Sequence, residues 1–301
     1  MTSISLSEIS HQQMNTKEQY IGDLVIVTSL PAKAYPDIII SEADRIDSTG
    51  YLGGFCPEDA PDNETIFTRV KVAGQGGSKR SIKKVLDDAH FLTYSVAEPI
   101  PDGSEKKTDY DHRGHAELEK ATGIATATGA NGGKPQYAQK IVDAYNAHKG
   151  QCGADEWSDI YHKVLKDKMA YTVRNHGGVY FVPVGRNGEL SQDLRDLQQL
   201  FRAFGGSLMV LPQESKTADQ WANPVGHGIS RQINELKQKV SEFSSKTRLS
   251  NMEDKLRALS LLKKESTWVC GLLRTSAETY EQQIEDISSD VRKSMEEFFS
   301  N

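Results

Sequence analysis

Cysteine is scarce in this chain. Cys56, Cys152 and Cys270 are the only three in 301 residues, and no two share CxxC spacing. That excludes a zinc ribbon and a thioredoxin-like redox pair. The three thiols are expected to be small buried apolar side chains in a reducing compartment. Long apolar runs are also missing. No stretch of about 18 apolar residues occurs, so no membrane-spanning helix is expected. The opening MTSISLSEISHQQMNTKEQY has neither a basic start nor an apolar segment, so no secretion signal is expected. Positive charge is not in excess: 36 Lys and Arg stand against 42 Asp and Glu, a net charge of −6. A protein coating nucleic acid over its whole surface is thereby excluded, and a local basic face is not. HExxH and GxSxG are absent. The block Gly74 to Ser81 departs from a phosphate loop, because Ser78 separates Gly77 from Lys79 and Arg80 stands where the hydroxyl belongs. These absences describe a cytoplasmic protein with no cofactor and no membrane partner.

What is present reads as α+β. Residues 1–19 are polar and expected to form a flexible tail. Residues 20–101 read as a β-rich N-terminal domain, with apolar runs at 23–28, 37–40, 66–72 and 91–96. Residues 102–134 show no apolar periodicity and read as a linker or insertion. Residues 135–224 read as a central α/β unit: two amphipathic helices, a strand pair turning at Gly177-Gly178, a Leu-rich helix from Leu190 to Phe204, and a strand at 207–211. That order suits either a winged-helix-like or a ββαβ arrangement. Its crossover should place 179–182 and 207–211 parallel in one sheet. Residues 225–301 read as an antiparallel helical hairpin or coiled coil, with 250–299 as one rod of about 75 Å.

Two surfaces attract a functional reading. Between 134 and 186 eight Lys and Arg face five acids, whereas 1–63 hold three against ten. A polyanion would therefore meet the middle of the chain. Lys163, Lys166, Lys168, Arg174 and Arg186 are the candidate contacts, opposed by Asp155, Glu156 and Asp159 nearby. In the helical tail, Tyr280, Ile284, Ile287, Val291 and Phe298 extend past what the shorter first helix can cover, and form a candidate oligomer interface. Weaker candidates for a divalent metal are Asp109, Asp111, His112 and His115, which carry ligand chemistry in a polar segment without a fixed second shell.

The Gly177-Gly178-Val179-Tyr180-Phe181-Val182-Pro183 block resembles the GGVY(F/W)VP strand motif of an uncharacterised bacterial and phage family, in which an amphipathic helix, a short strand and a long helical region follow. The resemblance runs over residues 160–300 and implies a prokaryotic or viral setting. The reading is thus a non-enzymatic oligomeric assembly protein, with DNA or RNA as a candidate partner. The alternative is a metal-dependent hydrolase with its site between the N-terminal and central domains.

Overall fold

The structure, a computed structural model, describes residues 20–75, 80–99, 110–130, 135–174, 178–185, 189–244 and 247–300. The expected tail at 1–19, Asp109, Arg186 and the glycine-rich 76–79 lie outside the described residues. The chain divides into two compact units. The first takes residues up to 32, 42–55 and 157 onward; the second takes 33–41 and 56–156.

The first unit is built on a four-stranded sheet of order β6-β7-β1-β8. Its strands are β1 (Tyr20–Ser29), β6 (Tyr171–Thr172), β7 (Val179–Pro183) and β8 (Ser207–Glu214). β1 pairs antiparallel with both β7 and β8, Asp23 lying opposite Val182 on one side and Pro212 on the other. β7 and β8 therefore run parallel, as the crossover rule requires, but with β1 between them. Sequence reasoning assigns β1 to a separate N-terminal domain; it is instead the middle strand that completes the ββαβ unit. The crossover helix α5 (Gln192–Ala203) buries Leu194, Leu197, Leu200 and Phe201, a single stripe at helical spacing. Its Arg195 donates to both carboxylate oxygens of Asp23 at 3.0 and 2.8 Å. Asp23 is only 2% exposed, so this two-pronged pair satisfies a charge that could not otherwise stay in the sheet.

The helical tail is three helices: α6 (Ala218–Ser241), α7 (Leu249–Leu272) and α8 (Glu278–Ser300). The expected 75 Å rod does not form. α7 stops because Arg274 adopts φ +55°, Arg274 N–H donates to Gly271 O and Thr275 N–H donates to Cys270 O. This is a C-terminal reversal of the kind usually made by glycine. α8 then returns antiparallel along α7, with Lys263 pairing Glu285 at 3.2 Å and Thr267 donating to Glu281 at 2.6 Å. Ile284, Ile287 and Val291 are at most 3% exposed and join Ile229, Ile233, Leu259, Leu262 and Val269 in one core. These three residues of the expected oligomer interface have their side chains buried inside their own chain. Tyr280 packs on the same core, and of the five only Phe298 is exposed.

The second unit holds the sheet β2-β3-β4-β5: β2 (Ser81–Asp87), β3 (Phe91–Pro99), β4 (Tyr110–Glu119) and β5 (Ile124–Thr128). Each strand pairs antiparallel with the next. The stretch 110–128 reads as linker in the sequence, and it is instead half of this sheet. Its inward residues on β4, Gly114, Ala116 and Leu118, are mostly too small to register as hydrophobic alternation, yet all are buried. Helix α3 (Gln136–His148) fills the space they leave with Ala138, Ile141, Val142 and Tyr145. The Tyr145 hydroxyl lies 2.9 Å from Asn63 Oδ1 and 3.0 Å from Gly123 O. Gly123 holds φ +62° in the β4–β5 turn, where a side chain would also meet Asn63.

Two expected strands are helices. Residues 37–40 lie in α1 (Pro36–Ile46), where Pro36 takes the first position that suits its fixed φ, and Ile39 and Ala43 are buried one turn apart. Residues 66–70 lie in α2 (Asn63–Val70), whose cap Asp62 accepts from Thr65 N at 2.7 Å. Helical spacing puts Ile66, Phe67 and Val70 on one buried face, whereas a strand would have turned Phe67 away from the other two.

Candidate functional site: a lysine-rimmed cleft

The first unit contains a cleft of about 500 Å³. Helix α4 (Ala154–Asp167) contributes His162, Leu165 and Lys166, spaced so that one flank of the helix faces the cavity. Just past its end, Met169 also lines the cleft, at φ +56°. Ala170 N–H donates to Leu165 O and Met169 N–H to Lys166 O, the reversal seen again at Arg274. The chain then enters β6, whose Tyr171 forms part of the floor beside Tyr180 of β7. α6 supplies Gln232, Glu235, Leu236 and Lys239, and α7 supplies Lys255, Ala258, Leu261, Leu262 and Glu265.

The floor is apolar and aromatic, and the rim is charged. Lys166, Lys239 and Lys255 make no ion pair among the described residues. Nε2 of His162 lies 3.0 Å from the Tyr180 hydroxyl, and its Nδ1 lies 3.4 Å from Ser158 Oγ. Partial desolvation lowers the His162 pKa from its ordinary value, against the opposing pull of Asp159. Burial first, then Tyr161, pushes the Tyr180 phenol up to about 12. Tyr171 is 1% exposed, and its hydroxyl has no hydrogen-bond partner among the described residues. Burial first, then the charge of Glu265, raises its pKa, so it stays an O–H.

Ser158 and His162 do not make a hydrolytic couple. Such a pair needs a carboxylate to orient the second ring nitrogen, and here that nitrogen meets a neutral phenol. Among the described residues no group of three or more His, Cys, Asp or Glu is placed to hold a metal. Asp111, His112 and His115 fall on β4 of the second unit. The cleft sets three lysines and two carboxylates, Glu235 and Glu265, around an apolar floor.

The five basic candidates separate. Lys163 and Arg174 are exposed and do not line the cleft; Lys166 lines it. Lys168 is committed elsewhere: it pairs with Asp193 at 2.6 Å and Asp167 at 3.4 Å, and sits 4.1 Å over the Tyr51 ring. Two of the opposing acids are also engaged, since Asp155 and Glu156 pair with Arg69 at 2.9 and 2.8 Å. Lys239 and Lys255 were missed as partners of Lys166. Their signal is in the sequence, because 231–274 carries ten Lys and Arg against five acids. The cysteines follow expectation: all three are buried and none is in a disulfide among the described residues, and burial pushes the Cys152 thiol up to about 11. No helix among the described residues is long and apolar enough to cross a membrane.

A search of curated proteins finds no match to this chain, and a search of solved structures finds none either. A protein-family model does match, over residues 65–298, which takes in β2–β5, the β6-β7-α5-β8 unit and nearly all of the helical tail. The chain belongs to the family of unknown function DUF6744.

Proposed function

We propose that the protein is a non-enzymatic component of a prokaryotic or phage assembly that contacts nucleic acid through the lysine-rimmed cleft. The observation that carries this reading is the convergence of Lys166, Lys239 and Lys255 from α4, α6 and α7 on one cavity, without ion pairs among the described residues. Against Glu235 and Glu265 in the same lining the three lysines leave one positive charge in excess, which an anionic partner would neutralise. Lys163 and Arg174, exposed elsewhere in the same unit, extend the reading. Self-association belongs to it only through the end of α8, where Phe298 and Phe299 are 42% and 71% exposed.

Fluorescence anisotropy with labelled single- and double-stranded oligonucleotides, titrated across salt, tests the reading. Changing Lys166, Lys239 and Lys255 together to Ala should weaken binding to all sequences. It should also reduce the slope of log K against log salt by roughly two to three, at about 0.7–0.9 for each phosphate that no longer meets a lysine. Wild-type protein that binds neither oligonucleotide at low salt sinks the proposal.

A further inference from the structure

We infer that the cleft accepts a single nucleotide of a single-stranded nucleic acid, with the phosphate on the lysines and the base inside. The inference rests on the nucleic-acid reading above and goes further by naming what the cavity takes. Lysines on an open surface suffice for a phosphate backbone; they do not call for a cavity beneath them. Here the cavity is about 500 Å³, within the roughly 300–1,000 Å³ of small-molecule sites.

The lining decides what enters. Leu165, Leu236, Ala258 and Leu262 give apolar walls, and Tyr171 and Tyr180 add aromatic surface. Such surfaces take the face of a base of any sequence. Polar groups stand among them. The Tyr171 hydroxyl, closed off from solvent at the floor, is without a partner among the described residues, and the side chains of half-buried Gln232 and exposed Glu235 make no hydrogen bond or ion pair there. An aliphatic anion would pair with the lysines but leave the Tyr171 hydroxyl and the Gln232 amide unmatched. A base edge carries both donors and acceptors: an amide can serve either role, a carboxylate accepts from an exocyclic amine, and a phenol does both. A base must leave its stack to enter, which costs least from a single strand.

The test titrates the full chain by calorimetry with adenosine and thymidine 5′-monophosphates, with inorganic phosphate as competitor, beside the oligonucleotide anisotropy. Tyr171→Phe keeps the packing and removes the hydroxyl; Ala258→Trp fills the cavity and keeps every lysine. The expected results are saturable mononucleotide binding, a weakening of about fivefold in Tyr171→Phe, and loss in Ala258→Trp with the oligonucleotide salt slope unchanged. Wild type should also prefer the single strand to the duplex. Oligonucleotide binding without any mononucleotide binding overturns the inference and leaves the nucleic-acid reading standing. Phosphate that displaces mononucleotide at equal concentration also overturns it, because the base then contributes nothing. Absence of both kinds of binding overturns both. Circular dichroism melts establish that each variant is folded.

Discussion

The two sheets are built on opposite plans. In the second unit β2, β3, β4 and β5 follow one another and pair in that order. In the first, β1 lies between two strands that arrive much later in the chain, with Val25 opposite Tyr180 and Val210. The meander closes short loops, whereas the other sheet must close a very long one before its central strand gains anything. The long closure is held by the buried Asp23–Arg195 pair and the Trp157 Nε1 bond to Ala32 O at 3.0 Å, whereas the meander's buried tie, the Tyr145 hydroxyl on Gly123 O, holds a turn between neighbouring strands. A sheet with local register needs little beyond turns and a covering helix. A sheet with distant register needs specific polar ties to fix which strand sits in the middle.

The largest effect that would break this comparison is expected from Ile284→Asp combined with Ile287→Asp. Both side chains are buried in the first unit's helical core. Two unpaired buried charges should cost more than about 4 kcal/mol. The first unit should unfold while the β2–β5 amides keep their protection against hydrogen exchange. Simultaneous loss of protection in both sheets would show that the two cores fold as one. A dimer turned into a folded monomer would restore the interface reading of α8.

A smaller effect sharpens the same contrast at chain reversals. The meander turns at Gly123, whereas the first unit, besides Gly205 after α5, also turns at two residues with side chains, Met169 and Arg274, both at positive φ. A left-handed conformation costs a side-chain-bearing residue roughly 1–2 kcal/mol. Arg274→Gly should therefore raise stability in urea by up to about 1 kcal/mol, after the entropy glycine adds to the unfolded chain. Met169→Gly should do the same for folding. If it also weakens ligand binding, the strain at Met169 serves the cleft.

The smallest effect lies in the meander. Lys120 at 2.8 Å, then Lys84 at 2.7 Å, hold the Asp87 carboxyl down to about 2. A depressed carboxylate stabilises the fold above its unfolded pKa of about 3.9, and that contribution is lost as pH falls through about 2. Melting temperatures of wild type and Asp87→Asn should differ slightly at pH 5 and converge as pH falls below about 2. A difference undiminished between pH 5 and about pH 1 would rule out the carboxylate's charge as its source.

How much could be read in advance depended on side-chain size and on partners. β7, α5 and β8 were legible because large apolar residues mark them at the right period. β4 and β5 were not, because Gly114, Ala116, Ala125 and Ala127 face the core without looking hydrophobic. α2 reads as a strand because Ile66, Thr68 and Val70 also satisfy a period of two; the Asp62 cap is what marks it as a helix. Of the cleft, only Lys166 was legible. Lys239 and Lys255 come from helices whose faces nothing local relates to α4.

The sequence by itself determined the α+β class, the burial of the cysteines, the strand–helix–strand crossover and the helical character of the tail. Each follows from apolar period, turn residues and handedness, which act over a few residues at a time. Tertiary structure decided that β1 is a central strand, that the tail folds back at Arg274, and that three lysines meet over one cavity. The reversal falls on Arg274, not on the nearest glycine, Gly271, which is still inside α7, and no proline follows to stop the helix. The chain reverses because burying Ile284, Ile287 and Val291 against α6 and α7 outweighs one strained residue. At roughly 1.5–3 kcal/mol for each large side chain fully buried, that gain exceeds the local cost several times over.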